Sequence, residues 1–376
     1  YNGINIQKPW PPRMKEKEQA LKKNIDRIPE TICYLSNPPK VIPIHVGRQL
    51  FVDDFLIDTS TLQRKYYYPE PYVGNPILKP QTKIEKNEGC CPVAATFTDG
   101  VFYDSKDGLY KMWYQAGWFD GTAYAESLDG QNWYRPDLDV VPGTNMVLPF
   151  RKGYKRDGAT VWIDHETKDP KSRYKLFVFF RKNEVEEIGE LYISSDGIHW
   201  NGPTITGPCG DASSFFYNPF RKKWVFSIRK VDVEGDFHYR YRQYYETEDF
   251  LKGADWGRND PVFWYGADDL DKKHAIYDCT TQLYGVDCVA YESILLGAFE
   301  IFKGPHNRIA EELGVPKQCD ITLGYSRDGF HFCRPDRTAF LKGSEKKGTW
   351  DYGYIHASGG LCIVEKDQLR LYYSAW

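Results

Sequence analysis

Several features that would assign a class of function are missing from this sequence. No uninterrupted run of about 18 or more apolar residues occurs, so no membrane-spanning helix is predicted. The 49 Lys and Arg against 52 Asp and Glu leave a formal net charge of -3 and no basic field that would attract nucleic acid. The 9 cysteines are scattered, lack the C-x-x-C spacing of a zinc site and are odd in number, so neither a zinc centre nor a disulfide framework is supported.

Aromatic and turn-forming residues are abundant instead. The 376 residues include 11 Trp, 28 Tyr and 21 Phe, which favour strands, together with 32 Gly and 23 Pro, which punctuate turns. This composition predicts an all-β fold with a large core.

A strand–turn–strand unit recurs along the chain. In its clearest copy an acid, Asp157, stands at the head of an apolar strand, a polar turn follows Asp164, and an aromatic strand returns from Arg173. An Asp-Gly turn followed by an aromatic residue recurs between the copies. The five strand pairs are 101–104 with 109–114, 156–164 with 173–180, 211–218 with 223–228, 288–292 with 295–299, and 360–365 with 368–373; the Asp-Gly segments are 126–133, 194–200 and 325–332, with a degenerate fourth at 245–256.

Five such units predict a five-bladed β-propeller, because one antiparallel sheet buries both faces only when neighbouring sheets cover them. The alternative is a β-sandwich with repeated hairpins. The propeller domain is predicted over 46–376 and a helical and extended arm over 1–45, with less than about a tenth of the residues helical. Residues 48–57, which contain Asp53 and Asp54, are predicted to form the strand that closes the ring.

The heads of the innermost blade strands meet at a propeller's channel, so acids at these positions are expected to converge. Asp157 and Asp211 occupy equivalent positions, each seven residues before the residue that opens its hairpin turn. Asp99 and Asp287 each lie five residues before the residue that opens their own hairpin turn. If side chains alternate strictly along a strand, they face the same side of the strand as Asp157 and Asp211, two residues closer to the turn.

Three segments resemble the five-bladed propeller glycosidases of glycoside hydrolase families 32, 43 and 68, and most closely the proteins described as family 32 N-terminal-like. They are 49–57, 326–331 and 350–353, and the resemblance covers nearly the whole chain from 41 on. Arg156-Asp157-Gly158 resembles the family's Arg-Asp-Pro motif with Pro replaced. Asp211-Ala-Ser-Ser-Phe-Phe216 is similar to the motif that carries the acid/base Glu. Phe97 stands where the family has its nucleophile.

The resemblance implies roles for several residues. Asp211 is the predicted general acid, Asp99 the base or nucleophile and Asp157 a stabiliser of the sugar, while Glu292 is the rival acid if the fourth blade is shifted in register. Each of the three aspartates could instead cap a strand or pair with an arginine such as Arg156 or Arg229. The predicted substrate-binding residues are Arg156, Asp287, Arg229, His356, Trp118 and Trp162; His356 is similar to a channel histidine that supports a metal in some family 43 enzymes, and Trp118 and Trp162 are candidates for stacking on a sugar ring.

The function predicted from these residues is that of a glycoside hydrolase acting on a plant or microbial oligosaccharide or polysaccharide. A furanosidase-like exo-enzyme of the fructosyl or arabinofuranosyl type is expected, with no required cofactor and room for a channel cation such as calcium. The alternative is a non-catalytic carbohydrate-binding propeller. The sugar, the linkage and the stereochemical course stay open. The chain starts at Tyr1 without Met or signal peptide, so a trimmed or mature form is expected, and the function predicts a periplasmic or extracellular location.

Overall fold

The computed structural model describes residues 2–234, 237–277 and 279–375. Trp376, the predicted end of the propeller domain, lies outside them. Strands hold 41% of the residues and helices 8%, which confirms the all-β class and the small helical share.

The first eight strands form two antiparallel meanders of four strands each. Parallel bridges at Thr98 and Asp99 join β1 to β5, and Thr98 also pairs with Ser358 of β18, so one sheet runs in the order β4-β3-β2-β1-β5-β6-β7-β8, with β18 and β19 attached at β1. The bounds are β1 Ala94–Asp104, β2 Leu109–Ala116, β3 Gly121–Ser127, β4 Met146–Leu148, β5 Tyr154–Ile163, β6 Tyr174–Lys182, β7 Glu186–Ser194 and β8 Asn201–Ile205.

The later strands repeat this order. One sheet runs β12-β11-β10-β9, another runs β13-β14-β15-β16 with β17 on β15, and β18 pairs with β19. The bounds are β9 Ser214–Asn218, β10 Lys223–Glu234, β11 Phe237–Thr247, β12 Val262–Tyr265, β13 Gln282–Tyr291, β14 Ile294–Gly304, β15 Gln318–Ser326, β16 Phe332–Cys333, β17 Leu341–Lys342, β18 Ile355–Glu365 and β19 Gln368–Ala375; the helices are α1 Lys15–Lys23, α2 Cys33–Ser36, α3 Lys83–Lys86 and α4 Asn307–Leu313.

All five predicted strand pairs are therefore paired strands, and four of them open four-stranded meanders. The count of five blades and the domain boundaries stay predictions.

The chain divides into two compact units. The first unit comprises Tyr1–Glu70, Tyr217–Glu248 and Pro261–Ile355, and the second comprises Pro71–Phe216, Asp249–Asp260 and His356–Trp376. The second unit has an aromatic core around Trp113 and Tyr174. In the first unit Leu21 of the N-terminal arm is buried against Tyr241 and Phe263.

The recurring Asp-Gly turns share one hydrogen-bond pattern. In the copy at 194–200 the Ser194 hydroxyl accepts from the Gly197 amide at 2.9 Å, while Asp196 Oδ1 accepts from the amides of Ile198 and His199 at 2.8 and 2.9 Å. The same bonds occur in the copies that contain Ser127 with Asp129 and Ser326 with Asp328. The repeat seen in the sequence is thus a repeat of turn chemistry.

The predicted strand over 48–57 is wrong. Its middle is a turn, because the Ile57 amide bonds to the Asp54 carbonyl at 3.0 Å and the Phe55 amide bonds to Asp53 Oδ1 at 3.2 Å. The carboxylate of Asp53 is buried and accepts from the guanidinium of Arg327 at 2.9 to 3.1 Å. A buried ion pair at this position takes the place of strand pairing.

Candidate functional site

In the second unit, a bulge positions the acid at the head of β5. The β5–β6 register pairs Arg156 with Phe180 and Ala159 with Val178, so Asp157 and Gly158 together face one residue of β6. Gly158 has a φ of +100°, and a Cβ there would lie 3.2 Å from the Ala212 amide nitrogen. Proline is locked near -65°, so the motif that resembles Arg-Asp-Pro needs glycine to let the backbone after Asp211 approach.

Asp157 and Asp211 share one arginine. The Nε and Nη2 of Arg181 lie 2.9 and 2.8 Å from Asp157 Oδ2, and the same Nη2 lies 2.9 Å from Asp211 Oδ2. The two oxygens are therefore no more than about 6 Å apart, given normal hydrogen-bond lengths. The Arg181 side chain is 38% exposed, whereas those of Asp157 and Asp211 are only 12% and 10% exposed, so two largely buried acids share one partly exposed arginine.

Asp99 lies in a different setting. Its carboxylate is fully buried and hydrogen-bonded to Arg156, whose Nη1 also donates to Gln115 Oε1 at 2.9 Å. Burial raises the pKa of Asp99 to about 7, although the Arg156 guanidinium opposes the rise. The alternation argument that placed Asp99 beside the other acids does not hold, because the register of β1 shifts between Ala95 and Gly100. Asp99 is therefore fully buried against Arg156, whereas Asp157 and Asp211 keep about a tenth of their side-chain surface exposed.

The turn between β2 and β3 stands beside the head of β5. The Phe119 carbonyl accepts from the Arg156 amide at 3.3 Å, and the neighbouring Trp118 is 43% exposed with its ring 4.4 Å from that of Phe119. Trp118 is therefore an exposed aromatic residue in the turn that is hydrogen-bonded to β5 at Arg156. Asp120 in the same turn was missed by the sequence reasoning; burial raises its pKa, and its position beside an exposed tryptophan is the signal that could have found it.

Two further predicted residues of this unit are buried. Trp162 packs edge-on against Phe102 with ring centres 5.6 Å apart, so its predicted role as a sugar platform does not fit its burial. His356 packs edge-on against Phe97 at 4.5 Å. Phe97 is therefore a packing partner of His356, the histidine predicted to lie in the channel.

The first unit contains a second cluster of charged residues, to which the predicted Arg229 and Asp287 belong. Arg242 is fully buried, and its guanidinium donates to the carbonyls of Ser227 and Tyr284. Burial lowers the pKa of Arg242 to about 10 against the attraction of Asp287 and Glu300, and the Arg229 guanidinium lies 5.4 Å from the centre of the Tyr284 ring. Glu300, also buried, was not a candidate in the sequence.

Glu292, the rival acid, lies in the turn between β13 and β14 of the first unit with a φ of 52°. Its carboxylate accepts from the backbone amide and from Nη2 of Arg48, both at 2.8 Å. These bonds, the amide first, hold the pKa of Glu292 below its usual value. The turn position agrees with the alignment of Glu292 to the hairpin residues Asp104 and Asp164.

Within the part of the chain that the structure describes, no group of three or more His, Cys, Asp or Glu side chains is arranged to hold a metal ion. None of its helices is long and apolar enough to cross a membrane.

No family model matches the chain, and no curated protein matches its sequence. Similar solved structures include an N-acetylgalactosamine deacetylase from F. plautii in complex with blood group B trisaccharide, with a TM-score of 0.50, 16% identity, and coverage of 75% of this chain and 85% of that one. A thermostable family-43 glycoside hydrolase has a TM-score of 0.48, 13% identity, and coverage of 69% and 78%. A family-32 β-fructofuranosidase from Bombyx mori has a TM-score of 0.41, 13% identity, and coverage of 64% of this chain and 50% of that one.

Solved glycosidases of families 32 and 43 are thus among the structures to which the chain is similar. At these identities the likeness is one of fold alone.

Proposed function

We propose that this protein is a glycoside hydrolase whose reacting carboxyl groups are Asp157 and Asp211. The observation that carries the proposal is their joint contact with one half-exposed arginine, Arg181, at the heads of two successive meanders. Glycosidases need two carboxyl groups across the scissile bond, and Asp157 and Asp211 are two carboxyl groups held close together by a partly exposed arginine.

The separation of the two groups favours a retaining mechanism. Retaining enzymes hold their carboxyl groups about 5 to 5.5 Å apart, whereas inverting enzymes need about 6.5 to 9.5 Å to admit a water molecule. The upper limit of about 6 Å between the Asp157 and Asp211 oxygens fits the shorter spacing. Asp211 then protonates the leaving oxygen and Asp157 attacks the anomeric carbon, which reassigns the nucleophile from the buried Asp99.

Arg156 and Asp99 hold in place the strand that carries Asp157. Arg156 precedes Asp157 in β5, and its contacts with Asp99 and Gln115 fix the strand at the point where the bulge begins. The exposed ring of Trp118 supplies a surface for the apolar face of a sugar.

A furanoside of a plant or microbial oligosaccharide, of the fructosyl or arabinofuranosyl type, is the proposed substrate. The similar deacetylase from F. plautii was solved with a trisaccharide, so its fold accommodates an oligosaccharide. The proposal also includes a periplasmic or extracellular location, activity without a required cofactor, and room for a channel-bound cation such as calcium.

A second candidate function is carbohydrate binding without hydrolysis. The observation that favours it is that each of the four predicted catalytic acids has an arginine partner: Arg156 for Asp99, Arg181 for Asp157 and Asp211, and Arg48 for Glu292. An ion pair lowers the readiness of a carboxylate to take up a proton, which suits a site that only hydrogen-bonds sugar hydroxyls.

The two candidates are separated by Asp211→Asn and Asp157→Asn, assayed on fructosyl and arabinofuranosyl oligosaccharides and on their aryl glycosides. Asp211→Asn is expected to reduce turnover of the natural linkage by about a hundred- to ten-thousand-fold while sugar binding persists, because Asn cannot deliver a proton. The loss on an aryl glycoside is expected to be smaller, since a good leaving group needs little protonation. Asp157→Asn is expected to abolish turnover of both substrates, because no nucleophile remains.

Glu292→Gln is the matched control, since it changes a carboxylate that the structure places in a turn. If Glu292→Gln removes activity and Asp211→Asn does not, the acid is Glu292. If the unaltered protein binds the oligosaccharides but hydrolyses none of them, binding is the function.

A further inference from the structure

Two adjacent cysteines stand in an exposed turn of the second unit. Cys90 and Cys91 are both exposed free thiols, and they lie between α3 and β1. Cys33 is the other exposed cysteine, and it has no cysteine neighbour in sequence.

The turn that presents these thiols has an unusual backbone. Asn87, Glu88 and Cys91 have φ values of 45°, 54° and 48°, a region that costs a non-glycine residue about 1 to 3 kcal/mol and persists only where neighbouring contacts impose it. Such contacts are present, because the Asn87 side chain donates to the Cys90 carbonyl at 2.5 Å and the Cys90 amide donates to the Asn87 carbonyl at 2.9 Å.

The two thiols also interact with each other. The pKa of Cys91 lies above its ordinary value, first because of burial and then because of the charge and hydrogen bonding of Cys90. Their α-carbons are about 3.8 Å apart, as across any trans peptide, whereas unstrained disulfides span about 4.4 to 6.8 Å. A bond between them would therefore be strained and easily reduced.

We propose that Cys90 and Cys91 are a reversible oxidation site that forms a vicinal disulfide with a low-molecular-weight disulfide as oxidant. The thiolate of one cysteine attacks the small disulfide and releases one thiol, which leaves a mixed disulfide on the protein. The neighbouring thiolate then attacks the protein sulfur of that bond and displaces the second thiol. Two protein thiols are oxidised, the small disulfide is reduced to two thiols, and the cysteine protons pass to the departing thiolates.

This site is connected to the turn that carries Trp118. The carbonyl of Val93, two residues after Cys91, accepts from the Gly117 amide at 3.0 Å, and the Val93 amide donates to the Glu85 carbonyl at 2.8 Å. The segment that carries the two cysteines is therefore hydrogen-bonded to the residue that precedes Trp118.

The test incubates the full chain in mixtures of reduced and oxidised glutathione, alkylates free thiols with N-ethylmaleimide and analyses the peptide containing both cysteines by mass spectrometry. The unaltered protein is expected to give a peptide lighter by two hydrogens, without glutathione, in a fraction that follows the glutathione ratio and returns to zero with dithiothreitol. Cys90→Ser and Cys91→Ser are expected to retain a glutathione adduct, because neither has a second thiol to displace it.

Cys33→Ser is the matched control and is expected to leave the result unchanged. Phenylarsine oxide, which bridges two close thiols, is expected to bind the unaltered protein and the Cys33→Ser variant but neither Cys90→Ser nor Cys91→Ser. The proposal is overturned if the unaltered protein accumulates a stable glutathione adduct at these positions, or if both thiols are alkylated at every glutathione ratio.

Discussion

Arg181 is the residue on which the candidate site depends. Its guanidinium contacts two carboxylates that would otherwise repel each other across about 6 Å or less. One guanidinium balances the charge of one carboxylate, which is what the proposed roles require: an ionised nucleophile, Asp157, beside a general acid, Asp211, that carries a proton.

Arg181→Met tests this view of the cluster. Without the guanidinium the two carboxyl groups lose the shared partner that holds them close together, so kcat/KM is expected to fall by about ten- to a hundred-fold. Lys182→Met, which alters the adjacent cation paired with Glu186, is the control and is expected to leave kcat/KM unchanged. An unchanged kcat/KM for Arg181→Met would show that the arginine does not position the two acids.

The pKa values of Asp99 and Asp104, two buried carboxyl groups, are shifted in opposite directions. Burial raises the pKa of Asp99 to about 7 against the opposition of Arg156. Burial acts on Asp104 as well, but hydrogen bonds from Arg173, Tyr174 and Lys111 hold the pKa of Asp104 well below its usual value.

These pKa shifts predict opposite changes of stability with pH. Folded Asp99 keeps its proton between about pH 4 and 7 while the unfolded chain loses it, so its contribution to the free energy of unfolding falls as the pH rises through that range. An asparagine at this position does not titrate, so the Asp99→Asn variant does not lose stability in this way. The free energy of unfolding of Asp99→Asn minus that of the unaltered protein, measured by urea unfolding, is therefore expected to rise by roughly 2 to 4 kcal/mol from pH 4 to 7.

Asp104→Asn is the comparison with the opposite sign. The stability that Asp104 contributes is present above about pH 4 and is lost below it, so the cost of Asp104→Asn is expected to be constant from pH 4 to 7 and to shrink at lower pH. A parallel pH dependence of the two variants would contradict both assignments.

Among the elements, the Ser-x-Asp-Gly turns are the most regular. In each of the three copies the serine hydroxyl accepts from the glycine amide, and the aspartate accepts from two amides that follow. These amides point into a tight turn and have few other acceptors, so the aspartate fixes the strand that follows.

Asp196→Ala is expected to destabilise the fold by about 1 to 3 kcal/mol, because it removes the acceptor of the Ile198 and His199 amides. Asp139→Ala is the matched control, since Asp139 contacts the same His199 at 2.9 Å but is well exposed. An exposed ion pair contributes about 0 to 1 kcal/mol. Equal changes in the urea midpoint for the two variants would refute a structural role for the turn.

The elements that could be predicted from the sequence are those whose signal is local. The hairpins and the Asp-Gly turns depend on turn residues and on alternation within a few positions, and they were found. The bulge at Ala95 to Gly100 could not be predicted, because its register depends on pairing with β2 and on the burial of Asp99 by Arg156. The turn at Asp53 could not be predicted for a similar reason, because Arg327, with which Asp53 pairs, lies far away in sequence.

The candidate site was predicted in part for the same physical reason. Asp157 and Asp211 stand at equivalent repeat positions, and the structure brings them together. Arg181, which joins them, was not singled out, because nothing in the local sequence of β6 distinguishes an arginine that faces two acids from one that faces solvent.

At the scale of the whole molecule, the N-terminal arm is an integral part of the first unit rather than an appendage to it. Leu21 of α1 is buried against Tyr241 and Phe263, and a Cβ at Gly266 would lie 2.7 Å from a Leu21 methyl carbon. Arg27 adds a contact of 3.2 Å to Asp269.

Leu21→Ala is therefore expected to lower the free energy of unfolding of the first unit by about 2 to 5 kcal/mol, the usual cost of a cavity at a buried leucine. Ile25→Ala, just beyond the end of the same helix, removes an exposed side chain and is expected to change it by less than about 0.5 kcal/mol. An unchanged thermal midpoint for Leu21→Ala would show that the packing of Leu21 does not stabilise the first unit.

The pairing of β1 with β18 has a consequence for biosynthesis. The second unit cannot be completed when β8 leaves the ribosome, because its last strand pair follows about 150 residues later, which corresponds to roughly 10 to 30 s of translation. During that interval the backbone of β1 around Thr98, which Ser358 later covers, is open to a strand from another nascent chain. Slow elongation lengthens this interval and crowded polysomes bring nascent chains closer together. Both conditions are therefore expected to favour mispairing at this edge of β1 unless a chaperone covers it.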